Sequence, residues 1–372
     1  MHTPFVRMNS FRNHRLRDLA LPASTAWLLA DIAEAKGKQE LYTRQSPQIL
    51  KALRDTAIIQ SAESSNRIEG VTVDRDRLRP LVLGNARPRD RSEEEVMGYR
   101  RALNEIHSKA ARIAVTPNTL KHLHALCNQG SGDAGQFKRT DNDIIQLIPG
   151  RAPKIRFKCV PAKQTPAVVD ELCLLYRHAL DQERVMPLIA TAAFILDFTC
   201  IHPFRDGNGR VSRLLTLLAL YQHGHEVGRY ISLERLTEES KEDYYEALQR
   251  SSQRWHEGKH DLVPWLNFFL AIIRRACGEF EQRAGQIKSP RGAKTKLIEQ
   301  AIASTLSDFT VTELERLCPG VGRDLIRHRL KELKASGSVA CIGRGPGAKW
   351  RKRVIPLKEG KKEGNRLKRV QE

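Results

Sequence analysis

A glycine-bearing loop between two apolar segments constrains this chain more than any other feature. Residues 202–210 read His-Pro-Phe-Arg-Asp-Gly-Asn-Gly-Arg, and Arg213 follows three positions later. The apolar runs Leu188–Ile201 and Val211–Tyr221 on either side predict two helices joined by this loop. The loop glycines therefore open the second helix, and their backbone N–H groups lie where the helix dipole favours an anion.

The glycines and arginines of the loop suit a phosphate chain. Gly207 and Gly209 permit close approach of the backbone, which a side chain would obstruct. Arg210 and Arg213 share a helix face, so we expect both guanidiniums to reach the outer phosphates through bidentate hydrogen bonds. The simpler alternative is a helix-to-helix turn with solvated arginines, and Gly-Asn-Gly alone does not separate the two. The full set of residue types at these spacings favours the phosphate site.

Two other side chains of the loop suit chemistry on a nucleotide. Asp206 is a hard oxygen ligand that fits one coordination position of Mg²⁺ beside the phosphates. The unperturbed pKa of histidine lies near 6.5, so we expect the imidazole of His202 to accept a hydroxyl proton as that hydroxyl attacks phosphorus. Phe204 is predicted to anchor the loop in the core.

The whole segment resembles the signature of the Fic family, His-x-Phe-x-Asp/Glu-Gly-Asn-Gly-Arg-x-x-Arg, with every specified position filled. The resemblance implies a mainly α fold: a Fic helical core with a β-hairpin flap. It also implies an enzyme that transfers AMP from ATP to a Ser, Thr or Tyr hydroxyl of a target protein and releases pyrophosphate. The implied roles are His202 as general base, Asp206 as Mg²⁺ ligand, Gly207, Asn208 and Gly209 as anion hole, Arg210 as phosphate clamp and Arg213 as γ-phosphate ligand. The family's Doc-like phosphotransferase branch has a bulkier residue in the glycine pattern, and Gly207 argues against that branch.

A second motif lies upstream. Ser65-x-x-x-Glu69-Gly70 resembles the inhibitory-helix motif Ser/Thr-x-x-x-Glu-Gly/Asn of Fic proteins, and the implied helix spans about 56–70. A glutamate aimed at Arg213 would pair with the guanidinium that should hold the γ-phosphate. Taken alone, the motif is also a common helix end with a glycine cap.

Other stretches agree with the resemblance from about residue 21 to residue 269. Apolar residues on both sides of Pro149-Gly150 predict a β-hairpin, and the implied flap at about 144–160 would dock a target protein by strand addition. A hairpin that only stabilises a loop is the alternative. Tyr244 and Tyr245 would flank the adenine, or they belong to the core.

Composition describes a globular chain with an uneven charge. The 372 residues carry a net charge of +20 and seven scattered cysteines without Cys-x-x-Cys spacing. These cysteines suggest neither a disulfide framework nor a zinc site, so we expect a cytoplasmic protein. No apolar run is long enough to span a membrane, so no membrane partner is expected. Residues 291–372 contain 20 lysines and arginines against 9 aspartates and glutamates, an excess that suggests a polyanionic partner.

The C-terminal pattern is helix, helix, turn, helix and hairpin, which resembles a winged helix-turn-helix domain. A capping box at Thr310 and Glu313 opens the second helix, and the third is predicted at about 322–335. The resemblance implies DNA contacts from Arg323, Arg327 and His328 on the third helix and from Arg344 in the wing. A protein-binding module of the same shape is the alternative.

The predicted domain order places an N-terminal helical region at 1–90, the Fic core at 91–275, a linker at 276–293, the winged-helix domain at 294–355 and a disordered basic tail at 356–372. We therefore predict an autoinhibited AMP-transferase that uses ATP and Mg²⁺. The alternatives are a DNA-binding regulator whose Fic core senses nucleotide, and a Fic enzyme that uses another nucleotide or removes AMP. The oligomeric state is left open, a homodimer included.

Overall fold

The chain divides into two units, residues Met1–Pro290 and Arg291–Glu372. The computed structural model describes residues 10–43, 47–84, 86–146, 154–285, 293–305, 307–318, 321–343, 345 and 347–353. The predicted tail at 356–372 and the turn at Pro149-Gly150 lie outside these residues. No helix of the described part is long and apolar enough to cross a membrane.

Helices build the first unit, apart from one hairpin. In chain order they are α1 (Ala23–Thr43), α2 (Pro47–Ile68), α3 (Arg75–Val82), α4 (Arg91–Lys109), α5 (Pro117–Cys127), α6 (Thr165–Asp181), α7 (Pro187–Ile201), α8 (Asn208–Gln222), α9 (Leu233–Glu239), α10 (Lys241–Ser252) and α11 (Val263–Gly285). The hairpin strands β1 (Asp143–Gln146) and β2 (Lys154–Lys158) lie between α5 and α6. The mainly α fold class is confirmed.

Helix α7 is the centre of the first unit. Its sequence is apolar on all sides, and nearly all of its side chains are buried. A helix that is hydrophobic all round must be surrounded by other elements, and α6, α8, α10 and α11 pack around it. Proline in the first turn of α7, at Pro187, costs no hydrogen bond and fixes the start of the helix. This rigid core helix carries His202 at its C-terminal end.

A buried carboxylate in the middle of α7 ties the N-terminal segment to the core. Asp197 is fully buried and accepts hydrogen bonds from Ser10 Oγ and Trp255 Nε1, both at 2.6 Å. Ser10 Oγ also lies 2.9 Å from His260 Nε2. Burial raises the pKa of Asp197 to about 6, while burial and the nearby Arg15 lower the pKa of His260 to about 4.

Two predicted boundaries differ from the structure. Helix α2 begins at Pro47, well before the predicted start at 56. Helix α11 continues to Gly285, so the linker predicted from 276 starts too early. The reason is that Ala276, Phe280 and Ala284 recur every four residues and are all buried, which keeps this segment packed as a helix.

The hairpin predicted at 144–160 is present as an antiparallel pair. Ile144 lies opposite Phe157, Ile145 lies opposite Ile155, and an irregularity separates the two pairs. The side chains of Ile145 and Ile155 are 54% and 50% exposed. An apolar cross-strand pair on one hairpin thus faces solvent.

The second unit combines three helices with a small antiparallel sheet. Its elements are α12 (Ala293–Ser304), β3 (Phe309–Thr310), α13 (Val311–Leu317), α14 (Arg323–Ala335), β4 (Val339–Ile342) and β5 (Lys349–Lys352). The predicted capping box is formed: Thr310 Oγ1 accepts from Glu313 N, and Glu313 Oε2 accepts from Thr310 N. The strand β3 was not predicted, and it makes the sheet three-stranded in the order β3-β5-β4.

Candidate active site

The loop between α7 and α8 has an unusual backbone at both ends. His202 closes α7 in the left-handed conformation, with φ 53° and ψ 59°. Positive φ is uncommon for residues other than glycine, although histidine adopts it more readily than most, so contacts around the turn help to hold His202 there. Gly207 is left-handed as well, at φ 77°, and α8 starts at the next residue. The glycine pattern therefore opens a helix, as the sequence predicts.

The side chains of Asn208 and Phe204 hold the loop against the core. Asn208 accepts from Phe204 N at 2.9 Å and donates to Phe204 O at 2.8 Å. Phe204 is fully buried, and its ring stacks on His124 with centroids 3.9 Å apart. The side chain of Asn208 is thus used in the fold, and its contribution to an anion site is its backbone N–H.

Space above Gly207 is filled by an amide. A Cβ at position 207 would lie 2.6 Å from Asn128 Nδ2, so no larger residue fits while Asn128 is in place. The carbonyl of Asp206 accepts from His124 Nε2 at 3.1 Å and from Asn128 Nδ2 at 3.4 Å. Two residues at the C-terminal end of α5, His124 and Asn128, therefore hold the backbone of the anion loop in place.

The imidazole of His202 is half-buried at the mouth of the loop. Its Nδ1 lies 3.4 Å from the carbonyl oxygen of Thr199, which can accept only from a protonated Nδ1. The other nitrogen, Nε2, is then left as a proton acceptor. Burial and the nearby ammonium of Lys138 lower the pKa of His202 to about 4, so the ring is neutral at pH 7.

Arg213 is held by α2. Its Nε donates to Ser65 Oγ, and its Nη2 donates to both Ser65 O and Glu69 Oε1, each at 2.8 Å. The third nitrogen, Nη1, is buried and has no hydrogen-bond partner among the residues that the structure describes. Burial lowers the pKa of Arg213, but the Glu69 carboxylate together with the hydroxyl groups of Tyr244 and Tyr99 raises it by more, so the net pKa is raised. The guanidinium is therefore a fixed cation with one unused donor.

The carboxylate of Glu69 lies directly above the anion loop. A Cβ at Gly209 would come within 2.1 Å of Glu69 Oε1 and 3.2 Å of Arg213 Nη1. Glu69 directly follows Ile68, the last residue of α2, and the next residue, Gly70, is left-handed with φ 85°. The motif is thus a helix end with a glycine cap, and it also brings Glu69 onto Arg213.

Arg210 differs from the expectation that both arginines face the outer phosphates. Its side chain is only 1% exposed, and Nη1 donates to Glu95 Oε2 at 2.6 Å. Asp206 Oδ2 lies 3.6 Å from its Nη2. A buried cation needs a counter-charge, and Glu95 on α4 supplies it, so one side of the Arg210 guanidinium is engaged by a carboxylate.

Asp206 is suited to share a metal ion, not to hold one alone. Its side chain is 61% exposed, and Oδ1 accepts from Gly207 N at 2.6 Å. Among the described residues no group of three or more His, Cys, Asp and Glu side chains could hold a metal ion. One accessible carboxylate beside an anion loop fits Mg²⁺ that takes its other ligands from phosphates and water.

The two candidate tyrosines have different surroundings. Tyr244 is 6% exposed and packs against Trp265 and Phe268, with ring centroids 5.8 and 5.6 Å away. Tyr245 is half-buried, and the Arg156 guanidinium of the hairpin lies 5.7 Å from its ring centroid. This placement favours Tyr245 over Tyr244 as the adenine contact.

The candidate DNA contacts of the second unit are exposed but weakly paired. Arg323 lies 3.2 Å from Glu315, Arg327 lies 3.9 Å from Asp324, and His328 lies 3.3 Å from Glu332. Arg344 lies outside the described residues.

Lys138 and Asn142 contact the loop of the site, and neither residue was predicted from the sequence. The Lys138 side chain is 6% exposed, and its Nζ donates to Ile201 O at 3.2 Å and to Asn142 Oδ1 at 2.8 Å. Asn142 Nδ2 in turn donates to Phe204 O at 3.1 Å. A lone lysine in a loop without periodicity gives no signal of burial, so nothing in the sequence marks it.

Comparisons with known proteins agree with this geometry. A family model described as the Fic/DOC family matches residues 114–220. The protein adenylyltransferase Fic of Nematostella vectensis is 25% identical over 257 residues, which cover 67% of this chain and 54% of that protein. The chain thus spans about half the length of this relative.

Two solved structures share the fold. A Fic family protein from Desulfovibrio desulfuricans matches with a TM-score of 0.58 and 20% identity over 91% of this chain and 99% of that one. A Fic domain containing signalling protein from Bacteroides thetaiotaomicron also matches with a TM-score of 0.58 and 20% identity, over 70% of this chain and 100% of that one. The segment matched by the Fic/DOC family model, residues 114–220, contains the complete loop from His202 to Arg213, and the chain is similar to Fic proteins over this segment.

Proposed function

We propose that this protein is an AMP-transferase that moves AMP from ATP to a hydroxyl of a target protein and that its own Glu69 restrains it. The observation that carries the proposal is the placement of a neutral imidazole and a cationic guanidinium on the two sides of one anion loop. The name of the relative from Nematostella vectensis supports a transferase of this kind.

The chemistry follows from the positions of these groups. His202 Nε2 accepts the proton of the target hydroxyl, and the hydroxyl oxygen forms a bond to the α-phosphorus of ATP. The bond from that phosphorus to the bridging oxygen breaks, and pyrophosphate leaves. The first N–H groups of α8 point at the phosphates and stabilise their charge without rearranging. Mg²⁺ on Asp206 would neutralise further phosphate charge.

Restraint follows from the contact between Glu69 and Arg213. The γ-phosphate would need the same guanidinium, including the Nη1 donor, which has no partner in the described part of the chain. The Glu69 carboxylate fills the space beside Gly209, because a Cβ on that residue would lie 2.1 Å from Glu69 Oε1. It therefore excludes an anion both by repelling its negative charge and by occupying its volume. A triphosphate therefore seats fully only when Glu69 moves.

The hairpin is the proposed docking site for the target. Its strands expose an apolar pair, Ile145 and Ile155, and Arg156 reaches the carbonyl of Tyr245 beside the loop. A target segment added as a strand would gain backbone hydrogen bonds along the hairpin edge. Replacing both isoleucines by serine should raise KM for the target and leave ATP binding unchanged.

Labelled ATP tests the transfer directly. The Glu69→Gly protein should incorporate AMP into itself or into lysate proteins, and the Glu69→Gly/His202→Ala protein should not, although it still binds nucleotide. CTP, GTP and UTP arms report nucleotide preference. If the folded Glu69→Gly protein binds ATP and transfers nothing, the proposed reaction is wrong.

DNA binding by the second unit is a second proposal. The observations that favour it are three helices with a sheet in the order β3-β5-β4 and a helix α14 that exposes Arg327 and His328, 52% and 69% of whose side chains are accessible. The exposed ion pairs of α14 are weak, so phosphates can replace their carboxylates at little cost.

Salt dependence of DNA binding by the full chain tests it. Binding should weaken as salt rises. Replacement of Arg323 or Arg327 by alanine should reduce the log–log slope by about 0.9 for each phosphate that the arginine neutralises. A full-length protein that binds no duplex at 20–50 mM salt, roughly the range where such contacts are strongest, refutes this proposal and leaves the first untouched.

A further inference from the structure

A buried ammonium next to His202 has no role in the scheme above. Lys138 is 6% exposed, and its ammonium pairs with no carboxylate within the part of the chain that the structure describes. Its Nζ bonds to two neutral oxygens, those of Ile201 and Asn142. Burying an unpaired charge is costly, so a protein keeps one mainly where it serves a function.

The contacts of Lys138 enclose the residue that carries the base. Its Nζ donates to the carbonyl that precedes His202, and its backbone N–H donates to Pro203 O, the carbonyl that follows His202, at 2.9 Å. Between these two fixed carbonyls His202 has its left-handed φ of 53°. Asn142 extends the support, because it accepts from Lys138 and donates to Phe204 O.

We propose that Lys138 is a positioning residue for the general base, one that holds the left-handed turn at His202 through the carbonyls of Ile201 and Pro203 and places a positive charge beside the ring that disfavours its protonation. This inference rests on the proposed transfer reaction. The turn fixes where the imidazole points, and a displacement of the base by about 1 Å can cost on the order of 100-fold in rate.

The charges that face His202 have opposing effects. Lys138 lowers the pKa of His202, whereas the carboxylates of Glu69 and Asp206 raise it. When Glu69 is replaced, Lys138 and burial dominate, and the ring stays neutral at pH 7. Loss of the Lys138 charge should therefore raise the pKa of His202 and shift the acid limb of the pH–rate profile to higher pH.

Three variants in the Glu69→Gly background separate the two effects. Lys138→Met removes the charge and the donors, Lys138→Gln keeps a donor without the charge, and Lys138→Arg keeps both. We expect Lys138→Met to lower kcat by about 10- to 100-fold with KM for ATP nearly unchanged, because the anion loop does not use this lysine. Lys138→Arg should recover most of the rate, and Lys138→Gln should keep more rate than Lys138→Met while sharing its shifted acid limb.

An NMR titration of the His202 ring supplies a readout that does not need activity. Its resonance is assigned by its loss in His202→Ala, and its pKa should rise in Lys138→Met and Lys138→Gln. If Lys138→Met does not fold, Lys138→Gln carries the test alone. Unchanged kcat, acid limb and ring titration in a folded variant whose parent transfers AMP overturn the role of Lys138. A parent that transfers nothing overturns the proposed function instead, while the ring titration still decides the electrostatic effect.

Discussion

Replacement of Glu69 by glutamine isolates the charge of its contact with Arg213. The two side chains are 26% and 8% exposed and 2.8 Å apart. A hydrogen bond to a charged group contributes about 1.5–3 kcal/mol, and partial exposure of Glu69 reduces this to about 1–2 kcal/mol. If ATP must displace Glu69, the free energy of breaking this contact opposes ATP binding. Removing the carboxylate charge lowers that opposing free energy by about the same amount. ATP should then bind about 5- to 30-fold more tightly.

Calorimetric titration with Mg²⁺ and a non-hydrolysable ATP analogue measures this change. The apo variant should unfold at a lower temperature, by about 2–4 °C for each kcal/mol, because Arg213 loses its counter-charge. Arg213→Ala breaks the same ion pair from the other side and should not bind more tightly. Glu257→Gln removes a carboxylate 57% exposed, paired with Arg254, and should change neither quantity. Equal affinities for Glu69→Gln and the parent would refute the argument that Glu69 competes with the nucleotide.

Three further predictions concern stability. Glu95→Ala removes the buried counter-charge of the Arg210 guanidinium, leaves only the exposed carboxylate of Asp206 at 3.6 Å, and should lower the free energy of unfolding in urea by about 3–5 kcal/mol; a loss under about 1 kcal/mol would show that Asp206 or another group replaces Glu95. His225 and His260 have pKa values lowered to about 4, so as pH falls these histidines are protonated in the unfolded chain before they are protonated in the folded one. The stability that they contribute above pH 6.5 should therefore be lost as pH falls towards 4. The buried aspartate of α7, whose pKa is raised, offsets part of this loss, so urea titrations at pH 7, 5.5 and 4.5 compare the parent with a His225→Gln/His260→Gln variant; an equal change of the midpoint with pH in both proteins would contradict the two histidine assignments. Thr310→Ala removes the capping box of α13 and should cost the second unit about 1 kcal/mol, measured by its thermal unfolding, where Thr310→Ser should cost less.

The chemistry of the loop could be predicted because it is contiguous in sequence. His202, Asp206 and the glycines come within nine residues, and glycine, histidine and carboxylate each have a definite use beside a phosphate. The positions of the helices that flank the loop followed from apolar runs alone. Periodicity also predicted α14 and the hairpin strands within a residue or two.

The partners of the arginines could not be predicted from residue types alone. Glu95 lies 115 residues before Arg210, and no local pattern marks that the two meet. Helical spacing places Arg210 and Arg213 on one face, but the counter-charge on α4 decides where the Arg210 side chain points. For Glu69 the pairing was expected only through the family resemblance, because the same residues also describe an ordinary helix end.

Asn128 has a consequence for how this fold can change. Its amide occupies the volume that a side chain at position 207 would need, at a separation of 2.6 Å. Gly207 also has a φ that disfavours any other residue. A larger residue at 207 in a descendant of this chain would therefore require the Asn128 side chain to move or become smaller and the turn to relax. The two positions are expected to vary together, and a library that randomises both at once should recover folded proteins that single-site libraries miss.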